Sequence, residues 1–134
     1  MNAEIEALFN AASAAQKRAY VPYSRFRVGA ALRGASGAIY AGCNVENAAY
    51  PVGNCAEASA IAAMILAGET RIAEALVIGD GAGLCTPCGG CRQRLREFAP
   101  LTAKVHVAGA EGLRRSFTVE ELLPASFGPE NLAS

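Results

Sequence analysis

Apolar positions in the first third of the chain follow a helical period and then a strand period. The opening segment has apolar side chains at helical spacing, namely Ile5, Leu8, Phe9 and Ala12, which predicts an amphipathic helix. The stretch RFRVGAAL then alternates, which predicts a strand whose apolar face is formed by Phe26, Val28, Ala30 and Leu32. Turn residues in RGASGAIY and a returning strand over 39–45 complete a hairpin.

The remainder of the chain alternates between helical and strand patterns. Asn54 is the predicted N-cap of an alanine-rich helix that runs to Gly68 and, being apolar nearly all round, must be covered on more than one side. ALVIG over 75–79 predicts a buried strand, and a Gly-rich loop leads from it into a helix that ends at Phe98 or Ala99. KVHVAG predicts another strand, and TVEELLP predicts a short helix with Thr118 and Glu121 in capping-box spacing.

The predicted order of elements is α-β-β-α-β-α-β followed by a short helix. Strand-helix-strand units imply parallel strands joined by right-handed crossovers, so we expect an α/β fold in which helices cover a mixed sheet. In such sheets the first turns of the helices and the carboxyl ends of the strands meet at one edge, where ligands bind. The two helices that begin near cysteines should therefore open at the same place.

Composition and charge narrow the function classes. The 134 residues suit one domain, expected over 1–134 with a less ordered tail after about residue 128. Twelve basic and twelve acidic side chains cancel, which disfavours nucleic acid as a partner and favours a small neutral ligand or another subunit. We expect no membrane association and a cytoplasmic protein, because no signal-peptide or membrane-spanning pattern is present. The five cysteines should then be thiols or metal ligands.

Three cysteines have the spacing of a zinc site. Cys88 and Cys91 form a C-x-x-C pair at a predicted helix start, with Thr86 as N-cap and Pro87 as first helical residue, and Cys55 lies at a similar helix opening. Three thiolates with one vacant corner suit catalytic zinc, whereas structural zinc has four protein ligands. Two further cysteines could fill that corner, although we expect Cys85 to point away and Cys43 to be a buried apolar residue.

Glu57 lies two residues after Cys55 and favours the catalytic alternative. On a helix these side chains point in nearly opposite directions, but both can reach a ligand beyond the helix end. A carboxylate there can take a proton from zinc-bound water and deliver it to a substrate. The competing interpretation is a first-turn glutamate that only complements the helix dipole.

These motifs together resemble a known family. CAE followed 33 positions later by PCGGC matches the H/C-x-E…P-C-x-x-C arrangement of zinc deaminases. VPYSRFRVGAAL, GCNVENAAYPVGNCAE, PCGGCRQ and TVEELLP closely resemble the short cytidine deaminases, over roughly 20–127. The resemblance implies a three-layer α/β/α fold with a mixed, about five-stranded sheet. It also implies hydrolytic deamination of cytidine and 2′-deoxycytidine to the uridine products and ammonia, by zinc-bound hydroxide, in pyrimidine salvage.

The resemblance also assigns roles to individual residues. It implies one Zn²⁺ per chain on Cys55, Cys88 and Cys91, with Glu57 as proton shuttle. It implies a homotetramer whose active sites lie at subunit interfaces, where Phe127 stacks on the base bound by the adjacent chain. The remaining implied substrate contacts are Phe26, Asn44, Glu46, Tyr50 and Ala56.

One position departs from the family pattern. Many members carry arginine after the glutamate, where it offsets the charge of three thiolates, but this chain has Ala58. Arg92 and Arg94 are the candidates to replace it, and the sequence equally allows both to lie on a solvated face. His106, in a distant strand, is expected to be a packed or surface residue and not a zinc ligand.

Two other functions remain open from the residues. A zinc deaminase of another nucleoside or base, such as an aminonucleoside antibiotic, would use the same metal site. A structural zinc module would require Cys85 or Cys43 as a fourth ligand. A thiol redox protein would have no use for Cys55 and Glu57.

Overall fold

The computed structural model describes residues 1–133, which form nine regular elements and two 3₁₀ turns. The helices are α1 (Ala3–Gln16), α2 (Ala56–Leu66), α3 (Gly89–Phe98) and α4 (Val119–Leu122). The strands are β1 (Val28–Gly34), β2 (Ile39–Cys43), β3 (Ile72–Gly79), β4 (Lys104–Gly109) and β5 (Gly112–Thr118). The 3₁₀ turns are Tyr50–Val52 and, in the predicted tail, Pro129–Asn131.

The five strands form one mixed sheet in the order β2-β1-β3-β4-β5. β1 pairs antiparallel with β2 and with β3, while β3 and β4 are parallel and β4 and β5 are antiparallel. The mixed sheet and its parallel pair confirm the predicted α/β class. Because β1 lies between β2 and β3, the connection through α2 crosses over it.

Two apolar clusters, one on each face of the sheet, divide the fold into three layers. α1 covers one face, where Leu8 and Ala12 pack with Ala31, Leu76 and Ile78. The other face carries the larger cluster, which residues of α2, α3 and α4 share with β1, β3 and β4. The helices that begin near the cysteines therefore lie together on the same side, as the predicted layering requires.

The five strands match the number that the resemblance implies, but one strand prediction was wrong in detail and one strand was missed by its pattern. β1 was expected to have one apolar face, but Ala30, Ala31 and Leu32 are all fully buried, because α1 and α2 cover this interior strand from opposite sides. β5 was not predicted, because Arg114 and Arg115 interrupt its apolar pattern. As an edge strand it pairs on one side only, so this polar sequence costs little stability there.

Within residues 1–133, every helix is too short or too polar to span a bilayer.

A glycine in β2 sets the distance between the sheet and α2. A Cβ added at Gly42 would lie 2.4 Å from the Ala60 backbone nitrogen and 2.8 Å from the Ala56 carbonyl oxygen. These are helix backbone atoms that no side-chain rotation can move, so α2 rests directly on the strand. The close contact lies near the amino-terminal end of α2 and thus helps to fix where Cys55 lies.

We predict that Gly42→Ala lowers the free energy of unfolding by about 1–3 kcal/mol, the usual effect of overpacking a tight contact. Gly83→Ala is the matched control, because a Cβ there meets no atom within 4 Å. Chemical denaturation of both variants measures the effect. Equal stability of the Gly42 variant and the parent chain would contradict direct contact between α2 and β2.

Candidate active site

The start of α2 exposes a free thiol at a helix end. Asn54 is not the N-cap, as predicted, because its backbone pairs with Val45 through hydrogen bonds of 2.8 and 2.9 Å. Cys55 takes the N-cap position, with extended backbone at φ −72° and ψ 156°, and its side chain makes no capping hydrogen bond. The Cys55 sulfur is therefore available to a ligand beyond the helix end.

The start of α3 repeats this arrangement. The N-cap is Cys88, again without a side-chain capping bond, so the predicted cap at Thr86 and helical start at Pro87 were wrong. The Thr86 hydroxyl instead accepts a hydrogen bond from Arg92 at 3.2 Å. Cys91 lies in the first turn and is fully buried, so the C-x-x-C pair places one sulfur off the helix end and one against the core.

The three predicted ligands meet in space. The sulfurs of Cys55, Cys88 and Cys91 all lie within 4.8 Å of one another, and those of Cys55 and Cys88 are 3.9 Å apart. Tetrahedral zinc with Zn–S bonds of about 2.3 Å requires sulfurs about 3.8 Å apart, so this donor set fits zinc. Within residues 1–133, no fourth histidine, cysteine or carboxylate belongs to the group.

The thiols differ in how readily they ionise. Burial acts to raise the pKa of Cys88, but hydrogen bonds from the Cys91 backbone N–H and the neighbouring thiols outweigh it, and the pKa is lowered. Burial raises the pKa of Cys55, and burial together with the Glu57 carboxylate raises that of Cys91 strongly. Metal binding must therefore displace protons from the cluster.

Glu57 is a carboxyl group held out of water beside the three sulfurs. It lies in the first turn of α2 and only 4% of its surface is exposed. Burial raises its pKa, and its own backbone N–H, the Cys91 thiol and the Arg94 charge only partly oppose the shift. A carboxyl group held out of water has a higher proton affinity than a solvated one, which suits it to take a proton from a neighbouring group and pass it on.

Two adjoining cavities lead to the cluster. The inner cavity has a volume of about 190 Å³ and is lined by Val28, Asn44, Cys55, Ala56, Glu57, Cys85, Thr86 and Cys88. The outer cavity, about 470 Å³, is lined by Tyr23, Ser24, Asn44, Val45, Glu46, Asn47, Tyr50, Gly53, Asn54 and Cys55. Because Asn44 and Cys55 line both, a small molecule can extend from the cysteine cluster to the surface.

The structure brings four of the six predicted substrate contacts to these cavities. Ala56 lines the inner cavity, Glu46 and Tyr50 line the outer one, and Asn44 lines both. Phe26 lies outside both walls and is 39% exposed, with its ring near Gly79 and Gly81.

The polar groups of the outer cavity are held by hydrogen bonds to the segment before β1. The Glu46 carboxylate accepts from the Tyr23 and Ser24 backbone N–H groups at 3.0 and 3.1 Å and from the Ser24 hydroxyl. These bonds, chiefly those from Ser24, lower the pKa of Glu46. The Asn44 amide accepts from the Val28 N–H and donates to the Phe26 carbonyl, each at 2.9 Å. Sequence reasoning had singled out neither Tyr23 nor Ser24.

Two residues outside the predicted site were also placed by the structure. Cys85 lines the inner cavity, so it does not point away as predicted, although its sulfur lies outside the three-cysteine group. The Cys85 side chain occupies the space into which a side chain at position 79 would extend, which explains the glycine at that position. His106 is buried, with Nε2 2.5 Å from a Glu74 carboxylate oxygen and Nδ1 2.6 Å from the Ser116 hydroxyl. It is a packed residue outside the three-cysteine group, as expected.

The carboxyl-terminal segment is tied to α3. Arg96 donates to the Ser126 hydroxyl at 2.8 Å and pairs with Glu130, and Gln93 donates to the Phe127 carbonyl oxygen at 2.8 Å. The Phe127 ring is 58% exposed and lies outside the two cavities of its own chain. These bonds hold the backbone while the aromatic ring faces outward.

The metal site predicts different outcomes for two cysteine substitutions. Cys88→Ser should lose bound zinc because it removes one of three sulfurs, whereas Cys85→Ser should keep zinc and remain folded. Elemental analysis and thermal melting of both purified variants measure this. Loss of zinc from the Cys85 variant would instead indicate a closed, structural site.

Comparisons with known proteins agree with this geometry. A sequence model described as the cytidine and deoxycytidylate deaminase zinc-binding region matches residues 2–108. Cytidine deaminase of Sporosarcina psychrophila is 40% identical over 130 residues, 97% of this chain and 96% of that protein. The crystal structure of cytidine deaminase from Burkholderia pseudomallei superposes with a TM-score of 0.87 and 41% identity, covering 95% of this chain and 100% of the other. The chain belongs to the zinc-binding cytidine and deoxycytidylate deaminase family.

Proposed function

We propose that this protein is a zinc-dependent enzyme that hydrolyses cytidine and 2′-deoxycytidine to uridine and 2′-deoxyuridine, releasing ammonia in pyrimidine salvage. The observation that carries the proposal is the buried Glu57 carboxyl beside three converging cysteine sulfurs, at the end of a cavity open to the surface. Relatives that match nearly the whole chain are named cytidine deaminases, which supports this substrate class.

The residues that would hold zinc are Cys55, Cys88 and Cys91. Zinc in such a site supplies Lewis acidity, which lowers the pKa of water enough to provide hydroxide near neutral pH. The two helix amino termini direct their partial positive charge at the same point and favour the thiolate forms. The inner cavity is lined mainly by small side chains and Glu57, which leaves room for a small ring beside the sulfurs.

Glu57 moves the protons in this scheme. Its carboxylate accepts a proton from the attacking water and donates it to N3 of the ring, which makes C4 more electrophilic. The oxygen of the water bonds to C4, and its second proton passes through the same carboxyl group to the amino group. The C4–N bond then breaks and releases ammonia. Burial suits Glu57 to this work because it raises the pKa of the carboxyl group and so strengthens its affinity for the proton that it carries.

The outer cavity suits a ribose. Asn44 and Glu46 are already fixed by backbone hydrogen bonds, but each retains hydrogen-bonding capacity, Asn44 as donor and acceptor and Glu46 as acceptor. We assign them to the sugar hydroxyls and the Ala56 backbone to the pyrimidine amide edge. Phe26 is assigned to the side of the nucleoside, which requires its exposed ring to turn toward the cavity.

The proposal includes a single deaminase domain over 1–134, although Ser134 lies outside the described residues, and a homotetramer. Aromatic and aliphatic side chains are exposed around the outer cavity and on the carboxyl-terminal segment, which supports burial against other subunits; they are Tyr23, Val45, Tyr50, Val52 and Phe127. All five cysteines are free, which supports a cytoplasmic location.

The activity predicts a substrate order and a dependence on Glu57. Cytidine and 2′-deoxycytidine should be deaminated much faster than free cytosine, dCMP or guanine, as followed by the absorbance change. Glu57→Gln should lower kcat by roughly 10²–10⁴-fold, because the amide cannot carry the proton. Zinc content should stay unchanged, because Glu57 is not a member of the sulfur group.

Glu97→Gln is the matched control, since it makes the same chemical change at an exposed position of α3. Near-normal turnover by the Glu57 variant would rule out its role as the proton shuttle. A preference for another aminated nucleoside or base would replace the substrate but retain the zinc chemistry.

The tetramer predicts complementation between two inactive variants. Phe127→Ala chains keep Glu57, and Glu57→Gln chains keep Phe127, so mixed oligomers contain complete sites only if Phe127 acts on a neighbouring subunit. We expect co-refolded mixtures to regain part of the cytidine deaminase activity that each variant lacks alone. If the mixtures only average the two activities, Phe127 does not act between subunits.

A further inference from the structure

Three arginines follow Cys91 on α3, and the structure gives each a different task. Arg92 donates to the carbonyl oxygens of Pro87 and Leu122 at 2.7 and 2.9 Å, which joins α3 to α4. Arg96 holds the carboxyl-terminal segment through Ser126 and Glu130. Of the three side chains, only that of Arg94 hydrogen-bonds a sulfur of the cysteine cluster, with Nη1 3.4 Å from the Cys91 sulfur.

The cysteine cluster needs a cation. Three thiolates exceed the charge of one Zn²⁺ by one negative unit, and an ionised Glu57 adds another. The position after Glu57 is Ala58, which offers no charge. Several other arginines are paired with carboxylates elsewhere, as in Arg27–Asp80, Arg33–Glu74 and Arg114–Glu111.

The local chain is shaped to bring Arg94 to the sulfur. Arg94 follows Cys91 by three residues, which places both side chains on the same surface of α3. Gly90 leaves the guanidinium room, since a Cβ there would lie 3.3 Å from Nη1 of Arg94. A guanidinium is always protonated in proteins, so Arg94 brings a fixed positive charge to the Cys91 sulfur.

We propose that Arg94 balances the charge of the zinc-thiolate cluster, donating an N–H to the Cys91 sulfur and performing electrostatically what residue 58 cannot. The inference rests on the proposed function, because it assumes that the three cysteines hold zinc. A charge-assisted hydrogen bond to a ligand sulfur stabilises the anionic, metal-bound cluster relative to its protonated form. It also draws electron density from the sulfur, which lessens donation to the metal and preserves Lewis acidity.

The test compares Arg94→Met, which removes charge and donors but keeps an unbranched side chain, with Arg94→Lys, which retains a positive donor. Arg71→Met is the matched control, because Arg71 is exposed and precedes β3, at the opposite end of that strand from the cysteine loop. Zinc dissociation constants come from competition with a chromophoric chelator. The cobalt-substituted proteins report the energy of the sulfur-to-metal charge-transfer band.

Arg94→Met should weaken zinc binding about 10–100-fold, the usual effect of losing a partner of a metal ligand. It should also shift the charge-transfer band to lower energy, while Arg94→Lys and Arg71→Met stay close to the parent chain. An unchanged zinc dissociation constant and an unchanged cobalt spectrum in Arg94→Met would overturn the inference. Arg94→Gln is a second neutral variant, and it should weaken zinc binding in the same direction. If the parent chain itself binds no zinc, the proposed function fails instead, so the two failures are distinguishable.

Discussion

The site depends on two helices that begin at the same place, each with a cysteine at its N-cap. α2 and α3 lie on one face of the sheet and contact each other. The backbone pairing of Asn54 with Val45 makes Cys55 the N-cap of α2, and the contact at Gly42 fixes the position of that helix on β2. The convergence of Cys55, Cys88 and Cys91 therefore follows from the backbone geometry of the two helix starts.

This arrangement joins features that oppose each other in an ordinary protein core. Cys91 and Glu57 are buried where burial disfavours their charged forms, yet helix termini and Arg94 supply positive potential at the same point. A metal ion resolves the conflict for the thiols, because it replaces their protons. In the proposed function the carboxyl group exchanges its proton, and the burial that disfavours its ionisation would suit Glu57 for that role.

The sequence predicted most of the helices and strands and the cysteine cluster, but it was less accurate about the residues at which the helices begin. C-x-x-C spacing identified Cys88 and Cys91, and Cys55 joined them because the predicted topology brings the starts of both helices to one edge of the sheet. The predicted N-caps, Asn54 and Thr86, were each one or two residues too early. The sequence pattern placed the N-cap of α2 at Asn54 and not at Cys55. The contact that decides this, between Asn54 and Val45, is made by backbone atoms, which carry no sequence signal.

Arg92 and Arg94 could not be separated from sequence alone. Arg92 follows Cys88 by four residues and Arg94 follows Cys91 by three, and both spacings place side chains on a shared helix surface. Only tertiary contacts with Leu122 and Thr86 assign Arg92 elsewhere.

X-ray absorption at the zinc edge of the purified protein tests the central claim, that three cysteines hold zinc with one corner open, most directly. We predict three sulfur ligands at about 2.3 Å and one lighter atom at about 2.0 Å, whereas four sulfur ligands, or a protein without zinc, would contradict it.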